Sequence, residues 1–317
     1  MLLNVVYVLA GLVGLFLGGS WLLKGASRLA ASLGLEPVVI GLTVVAFGTS
    51  MPELMVSLNA AFTGSSGIVI GNVVGSNIAN IGLILSLSGL ILTIPIHIGL
   101  IRREIPVMIA ASVAVYLMAM DGQIGSLDGL LLVIALIVFM AALVMLSRRE
   151  RLKPDELHEL EEEEHIVGTI NRRVEVGRVL IGLLALLAGA NRLVEGAVNI
   201  AILLGISEVV IGLTLVAVGT SLPELVTAII AAFRRHDDIL FGNVIGSNIF
   251  NLLGILGFTA LVRPVPIEPQ LLRFDLLVMV GFALLLLPIT FNRLLQRGEA
   301  LALLAGYIGF LVVAFVV

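Results

Sequence analysis

The 317-residue sequence contains no cysteine, and only 13% of its residues are charged. The lack of cysteine excludes disulfide bonds and thiolate metal sites. Aromatic residues are also few, at 5%, whereas hydrophobic residues make up 59% and the mean hydropathy is +1.17. A soluble domain does not carry so apolar a surface. The composition predicts an integral membrane protein whose partner is the lipid bilayer, and it indicates neither nucleic acid nor an obligate protein partner.

Ten apolar runs, most of them near the roughly 20 residues that span a bilayer as a helix, recur along the chain. The short alternating segments of an outer-membrane barrel are absent, so we expect an all-α polytopic bundle. The first run is followed by Lys24 and Arg28 without a small-residue cleavage site, which argues against a removed signal peptide. We place the spans at 2–23, 36–61, 66–92, 104–120, 126–147, 177–204, 207–233, 238–262, 275–292 and 299–317.

The positions of the basic residues predict the orientation. With the N-terminus outside, 15 of the 18 Lys and Arg residues fall in cytoplasmic loops. We therefore expect a multi-pass protein of the cell membrane with both termini outside and a charged cytoplasmic loop at 148–176. Its acidic run DELHELEEEEH (155–165) lacks the spacing of an EF-hand loop, so we interpret it as a solvated acidic helix.

One stretch of the second span occurs twice. IGLTVVAFGTSMPE (40–53) recurs as IGLTLVAVGTSLPE (211–224), with 11 of 14 positions identical at an offset of 171 residues (224 minus 53). At the same offset GNVVGSNIAN (71–80) matches GNVIGSNIFN (242–251) at 8 of 10 positions. A constant offset predicts duplication of a five-helix unit. Because five is odd, residues 1–147 and 177–317 are expected to form two repeats of inverted topology.

Each copy places a proline and a glutamate inside an apolar span. Pro52 lacks an N–H, so a carbonyl near Val45, Ala46 or Gly48 loses its helical donor. An ionised Glu53 inside the membrane costs several kcal/mol unless it is paired, and its span contains no basic residue. Together with Glu224 of the second copy, this pattern predicts a bound cation near the midplane, where broken helices form the sites of inverted-repeat transporters.

The neighbouring polar residues supply only oxygen donors, which suit Ca²⁺ or Na⁺. All four histidines (97, 158, 165 and 236) lie in loops or at span ends, and nothing indicates a cofactor. Asn72 and Asn243 we interpret as helix caps or turn residues. The candidate donors are Thr49, Ser50, Ser76, Asn77 and Asn80 with, in the second copy, Thr220, Ser221, Ser247, Asn248 and Asn251.

The paired GTSxPE and GSNxxN stretches resemble the α-repeats of the sodium/calcium exchanger family, in its prokaryotic form with two inverted repeats. The resemblance implies that the second, third, seventh and eighth spans are broken helices of the core, that Glu53 and Glu224 hold Ca²⁺ and share Na⁺, and that Thr49 and Thr220 add backbone carbonyls. It also implies that the first and sixth helices slide over a fixed core. Two flanking Na⁺ sites would consist of Ala46, Ser50 and Ser76, and of Ala217, Ser221 and Ser247.

The sequence departs from the family at one position, because prokaryotic relatives often carry aspartate where this chain has Asn251, opposite Asn80. The site then holds at most two negative charges. One Ca²⁺ would neutralise it and three Na⁺ would leave one positive charge, which implies electrogenic exchange of Na⁺ for Ca²⁺.

Four alternatives stay open from the sequence: Ca²⁺/H⁺ exchange, K⁺-dependent exchange, a passive channel, and an intramembrane hydrolase using Ser50 or Ser221. The hydrolase has no His or Lys in the spans to activate a serine, so we do not expect an enzyme.

Overall fold

The structure is a computed structural model that describes residues 1–149, 170–204 and 217–316. These residues fold as helices, joined by four strands of two residues each. Eight helices are long and apolar enough to cross a membrane, or nine if one bent pair forms a single span. The expected all-α membrane fold is confirmed. The helices are α1 (Leu2–Leu33), α2 (Pro37–Thr49), α3 (Met51–Thr63), α4 (Gly67–Ile91), α5 (Leu100–Asp121), α6 (Ser126–Arg149), α7 (Arg172–Leu203), α8 (Ala217–Thr220), α9 (Leu222–Phe233), α10 (Asp237–Val262), α11 (Leu271–Asn292) and α12 (Arg297–Val316).

Two helices are longer than their apolar runs. Helix α1 continues ten residues past the predicted end at 23, and α7 begins five residues before the predicted start at 177. Glu175, only 4% exposed, explains both extensions because it pairs with Arg178 and lies 3.7 Å from Arg28 Nη1. A boundary predicted from hydropathy falls at the first charged residues, whereas the helix itself can continue through charged residues that pair with one another. Helix α7 therefore begins within the range 148–176 that was predicted as a loop. The acidic run 155–165 lies outside the described residues.

Glycines bring α1 and α7 into backbone contact along their length. A Cβ added at Gly18 would lie 2.6 Å from Leu186 N, and one added at Gly189 would lie 2.6 Å from Leu15 N. Only glycine allows helices to approach this closely, as in other membrane helix pairs. The glycines recur every seven residues, and the offset of 171 relates the two sets: Gly11, Gly18 and Gly25 correspond to Gly182, Gly189 and Gly196.

The predicted break of the second span lies between α2 and α3, which meet at an angle of 46°. Ser50 at the junction has φ −83° and ψ 10°, outside the helical region, and Pro52 occupies the first turn of α3, where its missing N–H is tolerated. The second copy has the same junction between α8 and α9, where Ser221 has φ −88° and ψ 8°. Both copies of the motif therefore break the helix at the equivalent serine.

The third and eighth spans are continuous, which corrects the expectation that they are broken. Each contains a π-helical stretch instead, Asn80–Leu85 in α4 and Phe250–Ile255 in α10. A π-helical turn adds a residue without breaking the axis and often marks a functional site. Here the two stretches carry Asn80 and Asn251.

Helix α10 forms the centre of the bundle, since 89% of its most apolar stretch is buried. Gly242 and Gly246 let it pack directly on the backbone of α2: added Cβ atoms would come 2.6 Å from Val38 O and 2.7 Å from Leu42 O. Short antiparallel pairs connect the two halves of the chain at the bundle's ends, β1 (Ile94–Pro95) with β4 (Leu294–Leu295) and β2 (Gln123–Ile124) with β3 (Val265–Pro266).

Candidate cation-binding site

The two glutamates of the duplicated motif lie buried at equivalent places. Glu53 stands in the first turn of α3 and Glu224 in the first turn of α9, and each is 2% exposed. The N-terminal end of a helix carries partial positive charge, which favours a carboxylate there. This stabilisation is modest, worth about 0.3–1 kcal/mol at exposed sites, and is small beside the cost of burying a charge.

Serines of the two junctions connect the halves across the site. Ser221 Oγ donates to Glu53 Oε1 at 3.1 Å, and Ser50 Oγ donates to Glu224 Oε1 at 3.0 Å. The side chains of Thr220 and Thr49 also interact with the glutamate of the opposite half. Each carboxylate therefore contacts hydroxyl groups of the other copy, and the two breaks face one another.

The second oxygen of each carboxylate, Glu53 Oε2 and Glu224 Oε2, is buried and has no hydrogen-bond partner among the described residues. Within the part of the chain that the structure describes, no Lys, Arg or His forms an ion pair with either glutamate. Two buried carboxylates left in this state cost several kcal/mol each. The arrangement lacks positive charge, and a cation between the carboxylates would supply it.

Hydroxyl oxygens extend the site towards α10. Ser50 Oγ lies 3.1 Å from Ser247 Oγ, and Thr49 Oγ1 donates to Asn243 Oδ1 at 3.1 Å. Ser76 on α4 is 7% exposed, and Thr49, Ser50 and Ser247 are fully buried. Thr220 and Ser221 are half-buried. Hard oxygen donors of this kind coordinate Ca²⁺ and Na⁺.

Four buried asparagines line the π-helical region. Asn80 Nδ2 donates to Asn248 Oδ1 at 3.0 Å, which joins α4 to α10. Within the described ranges, Asn80 Oδ1 and Asn251 Oδ1 have no hydrogen-bond partner, and neither do the two polar side-chain atoms of Asn77. The free carbonyl oxygens add neutral donors, and the residues that the structure describes contain no group of three His, Cys, Asp or Glu residues arranged to hold a metal. The formal charge of the site therefore comes from Glu53 and Glu224.

The backbone at the first break departs from the expectation that a carbonyl there lacks a donor. Pro52 has no N–H for Gly48 O, but Gly48 O accepts another backbone N–H at the end of α2. Ala46 O accepts from Ser50 N at 3.1 Å and lies 3.4 Å from Thr49 Oγ1. Ala46 is fully buried beside the junction, and Ala217 begins α8 at the equivalent position.

Sequence reasoning misassigned Asn72 and Asn243. Neither caps a helix, because α4 and α10 begin several residues earlier and both asparagines lie within them. Asn72 Nδ2 instead donates to Glu53 O at 3.0 Å and to Ser57 Oγ at 2.8 Å, while Asn243 contacts Thr49. The sequence does contain an indication that these asparagines belong to the site, because both are repeated at the offset of 171 within the duplicated GNVVGSNIAN and GNVIGSNIFN stretches.

Comparison with known proteins identifies the family. The model of the family described as sodium/calcium exchanger protein matches residues 3–145 and again 174–316. The chain is 36% identical to the sodium/calcium exchanger MaX1 of Methanosarcina acetivorans over 98% of both chains. It is 37% identical to the putative antiporter CaxA of Alkalimonas amylolytica over 84% of this chain and 83% of that one.

The fold is similar to a solved structure of the sodium-calcium exchanger NCX_Mj soaked with 10 mM Na⁺ and 10 mM Sr²⁺. The TM-score is 0.84 and the sequence identity 35%, with 97% of each chain covered. The same exchanger has been solved after soaking with 2.5 mM Na⁺ and 0.1 mM Ca²⁺. Two consecutive matches to the family model and full-length similarity to an exchanger lead to one conclusion: the chain belongs to the sodium/calcium exchanger family.

Proposed function

We propose that the protein is a secondary antiporter that exchanges Na⁺ for Ca²⁺ across the membrane. The observation that supports this proposal best is the pair of buried carboxylates, Glu53 and Glu224. Each has one oxygen bonded to a serine of the other half and one oxygen without a partner in the described part of the chain. A resident basic side chain would neutralise such a pair permanently. A transported cation neutralises it reversibly, which is what an exchanger requires.

We propose the following ion-binding roles. Glu53 and Glu224 bind Ca²⁺ and share Na⁺, with carbonyl oxygens of Thr49 and Thr220 completing the Ca²⁺ site and Asn80 and Asn251 lying beside it. Ala46, Ser50 and Ser76 form one flanking Na⁺ site, and Ala217, Ser221 and Ser247 form the other. Occupancy of overlapping sites by one ion or the other makes exchange obligatory, because an empty site leaves two uncompensated charges in a low-dielectric region.

The proposed architecture has ten spans in two five-helix repeats of inverted topology, residues 1–147 and 177–317, joined by the cytoplasmic loop 148–176. The offset of 171 supports it, because the α1–α7 glycine contacts and the two strand pairs recur at that offset. The distribution of Lys and Arg supports termini that lie outside the cell. Access would alternate as α1 and α7 slide over the remaining helices, with the site fixed near the midplane.

Exchange by this site should be electrogenic. With −2 from the two glutamates, one Ca²⁺ gives a neutral site, whereas three Na⁺ give a site of charge +1. The net charge that moves per cycle is worth about 2.3 kcal/mol per 100 mV.

The direct test is ⁴⁵Ca²⁺ uptake into proteoliposomes that are loaded with Na⁺ and diluted into Na⁺-free medium. We expect uptake that requires internal Na⁺ and increases when valinomycin and K⁺ set a positive interior. Uptake independent of Na⁺ but driven by an acidic interior would assign the protein to Ca²⁺/H⁺ exchange. A requirement for internal K⁺ in addition to Na⁺ would indicate K⁺-dependent exchange, and Ca²⁺ entry down its own gradient without any counter-ion gradient would indicate a channel.

A further inference from the structure

Asn72 makes two hydrogen bonds to the helix that carries Glu53. Its Nδ2 donates to Glu53 O at 3.0 Å and to Ser57 Oγ at 2.8 Å. Glu53 and Ser57 are four residues apart and so lie on the same face of α3, one turn above the other. Ser57 is fully buried. A single amide on α4 therefore holds α3 at two points along its axis.

Two points of attachment restrict rotation of a helix about its own axis. A carboxylate at the edge of a helix lies about 5–6 Å from that axis, so a rotation of about 10° displaces it by about 1 Å. Ion coordination and binding sites lose function at displacements near 0.5 Å. Fixing the rotation of α3 consequently fixes the direction in which the Glu53 carboxylate points.

The second half of the chain lacks this attachment. The offset of 171 places Asn243, Glu224 and Ala228 where the first half has Asn72, Glu53 and Ser57, and alanine offers no hydroxyl to accept a bond. Asn243 Nδ2 is buried and has no partner among the residues that the structure describes, while its Oδ1 accepts from Thr49 Oγ1. The asparagine of the second half thus binds the first-half break as well.

Both asparagines therefore act on one break. Asn243 holds Thr49, at the end of α2, and Asn72 holds Glu53 and Ser57, at the beginning of α3. We infer that Asn72, acting through Ser57, is a positioning residue that fixes the Glu53 carboxylate and thereby sets the selectivity of the site between divalent cations of different size. This inference rests on the proposed function, in which Glu53 is an ion ligand.

The inference is tested by titrating purified protein in detergent with Ca²⁺ and with the larger Sr²⁺, following thermal stabilisation by each ion, and by measuring ⁴⁵Ca²⁺ uptake in proteoliposomes. Asn72→Leu removes both donors at similar volume. Ser57→Ala removes one acceptor and reproduces the residue that the second half has at position 228. We expect the half-saturating Ca²⁺ concentration to rise about tenfold in Asn72→Leu and about threefold in Ser57→Ala, with a smaller rise for Sr²⁺.

The matched control is Thr227→Val on α9. Thr227 is buried one turn beyond Glu224, and its hydroxyl has no hydrogen-bond partner in the part of the chain that the structure describes. The first half carries Val56 at the equivalent position. Removing that hydroxyl should leave both titrations unchanged.

Three results would overturn the inference. They are an unchanged Ca²⁺ titration in Asn72→Leu and Ser57→Ala, equal shifts for Ca²⁺ and Sr²⁺, and a lower melting temperature without any change in half-saturation. The last result would indicate a structural role only. If Asn72→Leu does not fold, the Ca²⁺ and Sr²⁺ titrations of Ser57→Ala alone test the inference. Wild-type protein that Ca²⁺ fails to stabilise would instead remove the proposed function and, with it, this inference.

Discussion

The α1–α7 contact and the centre of the site both consist of residues related by the offset of 171, but they keep this equivalence to different degrees. Along α1 and α7 the contacts are equivalent: Gly11 faces Leu193 N and Gly182 faces Leu22 N, both at 2.6 Å from the added Cβ. At the centre, the serine–glutamate bonds are also equivalent, at 3.0 and 3.1 Å, but Asn72 and Asn243 bind different atoms.

The difference follows from the kind of contact: backbone packs on backbone along α1 and α7, whereas side chains contact side chains at the site. At the glycines where the backbones of α1 and α7 are in contact, any residue larger than glycine is excluded in both copies. A substitution in one copy would therefore disrupt the contact. Where side chains meet, the copies differ by single residues: the first has Ser57, which accepts from Asn72 Nδ2, and the second has Ala228, which offers no acceptor. The two copies can therefore diverge in coordination while the bundle keeps its geometry.

The largest expected effect comes from the pair of carboxylates. Glu53→Gln or Glu224→Gln leaves a single negative charge, which cannot neutralise Ca²⁺. Each should lower Na⁺-driven ⁴⁵Ca²⁺ uptake by at least about a hundredfold, equivalent to about 2.7 kcal/mol, while the protein stays folded by size-exclusion chromatography. Glu195→Gln is the control, because this carboxylate is exposed and pairs with Arg192 at 2.8 Å. Substantial coupled uptake by either variant would refute a symmetric two-carboxylate site.

The next effect tests the symmetry of the α1–α7 contact. Gly18→Leu and Gly189→Leu each place a side chain against backbone of the opposite helix, where it has no room to relax. We expect both to lose about 1–3 kcal/mol of stability or more, and by similar amounts, measured as the melting temperature and the yield of monodisperse protein. Gly177→Leu on α7 should be tolerated, since an added Cβ there meets no atom within 4 Å. A large difference between the Gly18 and Gly189 variants would show that the two copies are not equivalent even here.

Much of the fold follows from sequence because duplication and hydropathy report on it directly. The repeated GTSxPE motif locates Glu53 and Glu224, and the proline accounts for the bend between α2 and α3. The end of α1 was predicted too early, because the burial of Glu175 against Arg28 depends on a contact between residues far apart in the chain. The continuous axis of α4 was missed for a related reason: a π-helical stretch has no sequence pattern as clear as proline.

The asymmetry of the asparagines could not be predicted. Asn72 and Asn243 are identical residues in nearly identical sequence, and the local pattern assigns them one role. Their partners are set by Ser57 and Ala228 on neighbouring helices, and only the packed structure brings these positions together.

The smallest expected effect concerns the two asparagines of the π-helical stretches. Asn80→Asp removes the amide that donates to Asn248 Oδ1 at 3.0 Å and places a carboxylate against that acceptor, whereas Asn251 Nδ2 donates to no acceptor among the described residues. We expect Asn80→Asp to lower the maximal rate of ⁴⁵Ca²⁺ uptake by about tenfold.

Asn251→Asp should instead lower the half-saturating Ca²⁺ concentration a fewfold, about 1 kcal/mol, because a third negative charge attracts the divalent ion more strongly. The same charge slows Ca²⁺ release, so the maximal rate should fall slightly. Initial rates over a range of Ca²⁺ concentrations separate these effects in both variants. Identical behaviour of the two substitutions would mean that the π-helical stretches contribute equally, and that the asymmetry of the site is confined to Asn72, Asn243 and the break they hold.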